Sequence, residues 1–241
     1  MKIVLVVCSF GREKLTTFCL GHYKRVQQEL NRRGIDLRIL VVDTDSTSIW
    51  DYCKDNEIDY CNHINNPLSE KWQFGIFCSK EYEPDGVIIS GSDDLLTARY
   101  IINITRNKGP KIYGLRDLLY LDHLNRQLYY WPGYDKSYRL KEPIGLGRFF
   151  NREVLDKCDW VLWNPRYPKE RCLDYNCLIY LQKMGIGYES FRMEKVGEGI
   201  DIKAGDNMTP ITAFKNLIPV NDDLLGAFNL TPKIYDREFN G

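Results

Sequence analysis

Residues Lys2–Cys8, KIVLVVC, carry no polar position after the first lysine. A strand with one wet face alternates apolar and polar residues, so an unbroken apolar run belongs to a parallel sheet covered on both faces. Parallel strands need a crossover, and the sequence supplies one. Leu15–Arg33 reads as a helix with Phe18, Cys19, Tyr23, Val26 and Leu30 on its apolar face, Gly34 is its C-terminal cap, and Leu37–Val42 is a second apolar strand. Such a unit closes as a right-handed crossover, which makes the fold class α/β.

Ile49–Asn56 reads as a short helix, Asp59–His63 as a short strand, Leu68–Tyr82 as a helix after the turn Asn65-Asn66-Pro67, and Ala98–Asn107 as another short helix. After Gly109 the pattern changes. Lys111–Leu115, Asp117–Leu121 and Gln127–Trp131 read as strands, the last two joined by a hairpin turn at Asp122–Arg126. Arg152–Lys157 starts a helix, Cys172–Met184 is a further helix stopped by Gly185 and Gly187, and residues 202–239, punctuated by Asn, Asp and Pro, read as irregular with one or two short helices. No repeat or linker breaks the chain. These elements predict one domain over residues 1–241, with a mainly parallel, mixed sheet flanked by helices in 1–108, a β-hairpin-rich half in 109–200, and a tail from 201.

The segment Asp85–Leu96, DGVIISGSDDLL, carries the chemistry. A buried strand can hold Val87, Ile88 and Ile89, but not two unpaired charges. Asp93 and Asp94 therefore stand where the strand emerges, at the end where open α/β sheets bind ligands. Two carboxylates there suit a hard divalent cation, Mg2+ or Mn2+, holding a diphosphate. The plainer reading is a turn in which Asp94 caps a helix beginning near Leu95.

Composition narrows the partners. Lys plus Arg and Asp plus Glu both number 33, so the chain has no broad electrostatic footprint for nucleic acid or an anionic membrane. The eight cysteines form no CxxC pair, which argues against a zinc ribbon and for reduced, buried core thiols in a cytoplasmic protein. The N-terminal strand is too short for a signal-peptide core, and no apolar run reaches the roughly 18 to 20 residues that span a bilayer.

An apolar strand with a polar turn, a second strand ending in Asp43-Thr44-Asp45-Ser46, and a fourth ending in Ser92-Asp93-Asp94 give an order that resembles the GT-A nucleotide-sugar glycosyltransferases of the DxD type, over about residues 2–190. The resemblance implies a Rossmann-like GT-A fold whose first half binds the nucleotide and whose second half binds the acceptor. It implies that Asp94 ligates Mn2+ or Mg2+ with Asp93 as its helper, and that Ser92, where the strict pattern has Asp, supplies the ribose contact. Asp43 and Asp45 stand where the family holds an acidic group against base or ribose. Ser9 and Arg12 lie in the loop packed around the base, with Arg12 facing the diphosphate, and Lys71 starts a helix aimed at the same crevice. Against each of these stands a plain reading as a turn or solvated residue.

Asp174 falls where inverting members place the general base, with Glu170, and Asp122 near His123, as fallbacks. Its plain reading is a carboxylate stabilised by the helix dipole. Gly145-Leu146-Gly147 falls where the family lets backbone approach donor sugar and acceptor, and it matches no phosphate loop. Trp160, Trp163 and Tyr167 mark an aromatic-rich loop that either stacks on sugar or packs. Many members use a late His as third metal ligand. None of His22, His63 and His123 falls late, so that ligand is absent, comes from Asp206 or Asn207, or is replaced by water and phosphate oxygens. Lys203 would neutralise the departing diphosphate as the tail folds over the site.

The expected activity is metal-dependent transfer of a sugar from a nucleotide diphosphate, a UDP-sugar foremost, to a hydroxyl of a glycan or other acceptor. Inversion and retention stay open. Three alternatives remain: a nucleotidyltransferase, disfavoured by the single glycine of Ser9–Lys14; a non-catalytic nucleotide-sugar-binding protein; and a glycosyltransferase of modified DNA bases, disfavoured by the neutral charge.

Overall fold

The computed structural model describes residues 1–204 and 209–230. The opening apolar run forms β1 (Lys2–Cys8), followed by α1 (Glu13–Asn31), β2 (Asp36–Asp43), α2 (Thr47–Asp55), β3 (Asp59–Asn62) and α3 (Leu68–Ser79). β1 pairs in parallel with β2 on one side and with β4 (Gly86–Gly91) on the other, and β3 extends the sheet in parallel beyond β2. Side chains of β1 alternate between two layers. Ile3, Leu5 and Val7 join the core that includes Phe18, Tyr23 and Leu30 of α1, whereas Val4 and Val6 join Ile76 of α3. Both faces are dry, which is why the run tolerates no polar side chain. Helix α3 lies close on its face: a Cβ on Gly75 would come within 2.7 Å of Val6 and Val42.

Beyond β4 the chain adds β5 (Asp94–Leu96), α4 (Ala98–Ile104), β6 (Lys111–Leu115), β7 (Leu118–Asp122), β8 (Gln127–Trp131) and β9 (Phe149–Asn151). Then come α5 (Arg152–Lys157), α6 (Leu173–Gln182), β10 (Gly187–Phe191), α7 (Met193–Val196), β11 (Gly199–Lys203) and β12 (Ile218–Pro219). The main sheet has seven strands in the order β10-β6-β9-β4-β1-β2-β3, with β9 antiparallel to both neighbours. A second sheet of five strands runs β12-β8-β7-β11-β5. This is the α/β architecture, mixed sheets flanked by helices, that the sequence pattern predicts.

Some local expectations change. Asp94 does not cap a helix at Leu95: Asp94–Leu96 is β5, and the cap passes to Thr97, whose hydroxyl accepts from the Tyr100 N–H. The segment from 202 does not start as irregular chain. It continues β11, which inserts between β5 and β7 and buries Ile200 and Ile202 in the core. β10 follows the glycines where the sequence marked only a helix stop. Not all thiols are buried: Cys61 and Cys78 are half-buried and Cys172 is exposed, all of them free. No helix among the described residues is long and apolar enough to cross a membrane.

Candidate functional site

The carboxyl ends of the parallel strands β1, β2 and β4 lie side by side. Ser9, just past β1, donates its hydroxyl to Asp43 at the end of β2. Asp43 also accepts from the Ser46 N–H at 2.9 Å and from the Tyr60 hydroxyl at 3.5 Å. It is 1 % exposed, so these bonds brace two strand ends and fill the turn role set against nucleotide contact. Asp45 likewise takes a local partner, the Asn62 amide at 2.5 Å.

Lys71 is fully buried in the first turn of α3, not solvated. Its ammonium donates to the Ser9 carbonyl, to the Thr44 hydroxyl at 2.7 Å and to the Asn65 side chain at 3.4 Å. Burial lowers its pKa, and the nearby Cys8 and Asp43 act the other way. One ammonium thus joins the loops after β1, β2 and β3.

The acidic element folds back on its own strand. Asp94 accepts from the Gly91 N–H at 2.5 Å. A Cβ on Gly91 would sit 2.6 Å from Asp93 Oδ1 and 2.9 Å from Asp94 Oδ2, so only glycine leaves room for both carboxylates. Arg12 reaches over from the loop after β1, with Nη1 on Asp93 at 2.7 Å and Nη2 on the Ser92 hydroxyl at 2.9 Å. Ser92, Asp93, Asp94 and Arg12 are therefore one assembly.

Strand β11 adds a carboxylate that sequence reasoning missed. Pairing of β5 with β11 sets Asp201 opposite Asp94. Lys203 donates to Asp201 at 2.7 Å, and Asp201 Oδ1 is shut from solvent with no hydrogen-bond partner. Burial pushes the Asp94 carboxyl well above the usual range, and Asp93 and Asp201 push the same way against the Gly91 N–H and Lys203. Asp201 is raised too, by burial first, with the Lys203 ammonium opposing and Asp93 adding to the rise. The signal was legible: in Gly199-Ile200-Asp201-Ile202-Lys203 apolar and charged residues alternate with the period of a strand.

Tyr120 of β7 lies beside this cluster, against Lys203. Its phenol is raised well above the ordinary value by burial, then by the charges of Asp201, Tyr134, Asp94 and Asp174. The Lys203 ammonium lies 5.1 Å from the centre of its ring. Asp174 lies in the first turn of α6. Gly145 makes room for it, since a Cβ there would overlap the Asp174 carboxylate. Buried Arg148 fixes that turn, donating to the carbonyls of Asp174 at 2.7 Å, Ile144 at 3.0 Å and Pro143 at 2.6 Å.

The other sequence candidates fall elsewhere. Glu170 accepts from the Leu68 N–H at 3.2 Å. Asp122 is buried and holds the hairpin turn through the N–H groups of Leu124 and Asn125 and the Asn125 side chain. Trp160 and Trp163 are buried and pack, leaving Tyr167 exposed on their loop. Asp206 and Asn207 lie outside the described residues.

Among the described residues no three His, Cys, Asp or Glu side chains close around one point as a ready-made metal cage. The donor chemistry nonetheless fits a hard cation. Buried Asp94 and half-buried Asp201 bring two carboxyls together, and Asp201 Oδ1, itself shut from solvent, lacks any partner. Mg2+ and similar ions commonly take one or two carboxylates and complete their shell with water and substrate phosphate.

No family model and no curated protein sequence matches this chain. Its fold does match solved structures. Staphylococcus aureus TarS (residues 1–349) in complex with UDP-GlcNAc superposes with a TM-score of 0.58 at 12% identity, over 99% of this chain and 70% of that one. A mutant Drosophila β1,4-galactosyltransferase 7 in complex with manganese, UDP-Gal and xylobiose gives 0.51 at 10% identity, over 91% and 71%. The inositol-1-phosphate CTP transferase of Thermotoga maritima gives 0.50 at 10% identity, over 94% of each chain. At such identities the likeness is one of fold. The chain has a GT-A-like α/β fold, which the matched galactosyltransferase and CTP-transferase structures share.

Proposed function

We propose that this protein is a glycosyltransferase that moves a sugar from a nucleotide diphosphate to an acceptor hydroxyl. The observation that carries the reading is the acidic assembly past β4, in which Asp94 stands opposite Asp201 and Asp93 beside it is held by Arg12. Mn2+ or Mg2+ held by Asp94 and Asp201, with Asp93 beside them, would supply charge neutralisation for the diphosphate. Arg12 and Lys203, paired with Asp93 and Asp201, bring two cations to the place where negative charge develops on the leaving group. Asp174 accepts the acceptor's proton if the reaction inverts, and orients the acceptor if it retains.

A UDP-sugar is the proposed donor, since the matched TarS and galactosyltransferase structures hold UDP-GlcNAc and UDP-Gal. A glycan is the proposed acceptor, in line with the xylobiose of the latter. Nucleotidyl transfer is weaker, because Ser9–Lys14 has one glycine and Arg12 is held by Asp93 and Ser92.

The test is a thermal-shift series with UDP-Gal, UDP-Glc, UDP-GlcNAc and CTP, each with and without Mn2+. A UDP-sugar should raise the melting temperature in a metal-dependent way that Asp94→Asn removes, because a ligand that binds only the folded state stabilises it. A response to CTP alone would replace glycosyl with nucleotidyl transfer. No response to any of them would sink both.

A further inference from the structure

Two tyrosines beside Asp174 are left bare. Tyr138 is 64% exposed and Tyr175 37% exposed, and their rings meet edge-on with centroids 6.2 Å apart at 75°. Large rings normally take their area out of water, and bare ones grouped at a functional site mark a contact surface. We propose that Tyr138 and Tyr175 are the acceptor subsite, a stacking platform for one pyranose ring whose hydroxyl is presented to Asp174. The inference rests on the transferase reading above and deepens it.

The platform is held from behind. The Arg139 guanidinium lies 3.5 Å from the ring centre of Tyr134 and 5.6 Å from that of Tyr175. Its Nε and Nη2 donate to buried Glu142 at 2.6 and 2.8 Å, so the cation is fixed and its charge answered. Tyr175 follows Asp174 directly in α6, and the Asp174 charge acts on both Tyr134 and Arg139. Rings and guanidinium therefore form one wall, and Asp174 stands one residue before Tyr175 at its edge.

That chemistry selects the occupant. A pyranose has an apolar C–H face and a rim of hydroxyls, so it can lie on a tyrosine ring while turning one hydroxyl toward a carboxylate. A phosphate-bearing acceptor would use the guanidinium, but Glu142 already occupies two of its donor nitrogens. An acyl chain would need a continuous apolar groove without the Asp174 charge. The platform also differs from the Trp160–Trp163 segment singled out by sequence, whose two tryptophans are buried.

Saturation-transfer NMR on the whole protein tests this with methyl β-glucoside, methyl β-galactoside, cellobiose and xylobiose, and with mannitol as a ringless control. At least one pyranoside should take up saturation on the C–H protons of one ring face, and mannitol should not. Tyr138→Ala and Tyr175→Ala should each weaken that binding by about fivefold to tenfold, the size of one stacking contact, while Tyr138→Phe and Tyr175→Phe retain it. Absence of saturation for every pyranoside, or saturation that survives both alanine changes, overturns the platform. UDP binding with Mn2+, followed by thermal shift in the same variants, should be unchanged. Loss of nucleotide binding in the unaltered protein would strike the transferase reading, not the platform.

Discussion

Asp94 and Asp201 face each other across the antiparallel pairing of β5 and β11, although 107 residues separate them in the chain (201 − 94). Setting a buried and a half-buried carboxylate side by side stores repulsion that a bound cation relieves. Asp201→Asn should therefore cut sugar transfer, followed as nucleotide release with saturating Mn2+, by about 100-fold. Unchanged transfer would remove Asp201 from the site.

Gly145 sits against Asp174 with no room for a methyl group. Gly145→Ala should displace the carboxylate and lower transfer to the acceptor by about 10- to 100-fold. Binding of a UDP-sugar, measured by calorimetry, should stay within about twofold. Equal loss of donor binding would mean that Asp174 does not belong to the acceptor side.

Lys71 is buried and donates to Ser9, Thr44 and Asn65. Lys71→Met keeps the volume and strands those acceptors, so unfolding in urea should need about 2–4 kcal/mol less. The loops it joins border the strand ends, so weaker donor binding should accompany the lost stability.

His22 is 3 % exposed and donates from Nε2 to the Leu96 carbonyl at 2.9 Å. Burial pushes its pKa down to about 4, below the ordinary value of 6.5. Between those values the unfolded chain binds a proton that the folded chain refuses. Its contribution to stability is complete above about pH 6.5 and is lost as pH falls toward 4, by ~3 kcal/mol in all. In His22→Gln the urea midpoint should fall less steeply than in the unaltered protein between pH 7 and pH 4.5.

Much of the fold was legible because the two apolar strands and the helix between them leave one solution, a covered parallel sheet. Ser92, Asp93, Asp94 and Arg12 could also be singled out from their place after strands, yet their mutual contacts could not. The alternation of Gly199–Lys203 marks Asp201 as a strand residue, but its pairing with Asp94 escaped because that partner lies in distant sequence. For Trp160 and Trp163 both stacking and packing stood open, and packing is what the fold shows, since a tryptophan's identity does not say whether its ring faces solvent or core. Tyr138 and Tyr175 come from separate loop and helix starts that only the tertiary fold brings together.

Strand β11 is the last long strand described, and it slots between two strands made much earlier. During synthesis β5 and β7 must wait, with open backbone edges facing each other, until Gly199–Lys203 leaves the ribosome. The first sheet's parallel core can assemble well before that moment, but the acidic pair cannot. A nascent or truncated chain would therefore hold a formed parallel core in which Asp94 still lacks the carboxylate opposite it, so the acidic pair is completed only once the fold around it is in place.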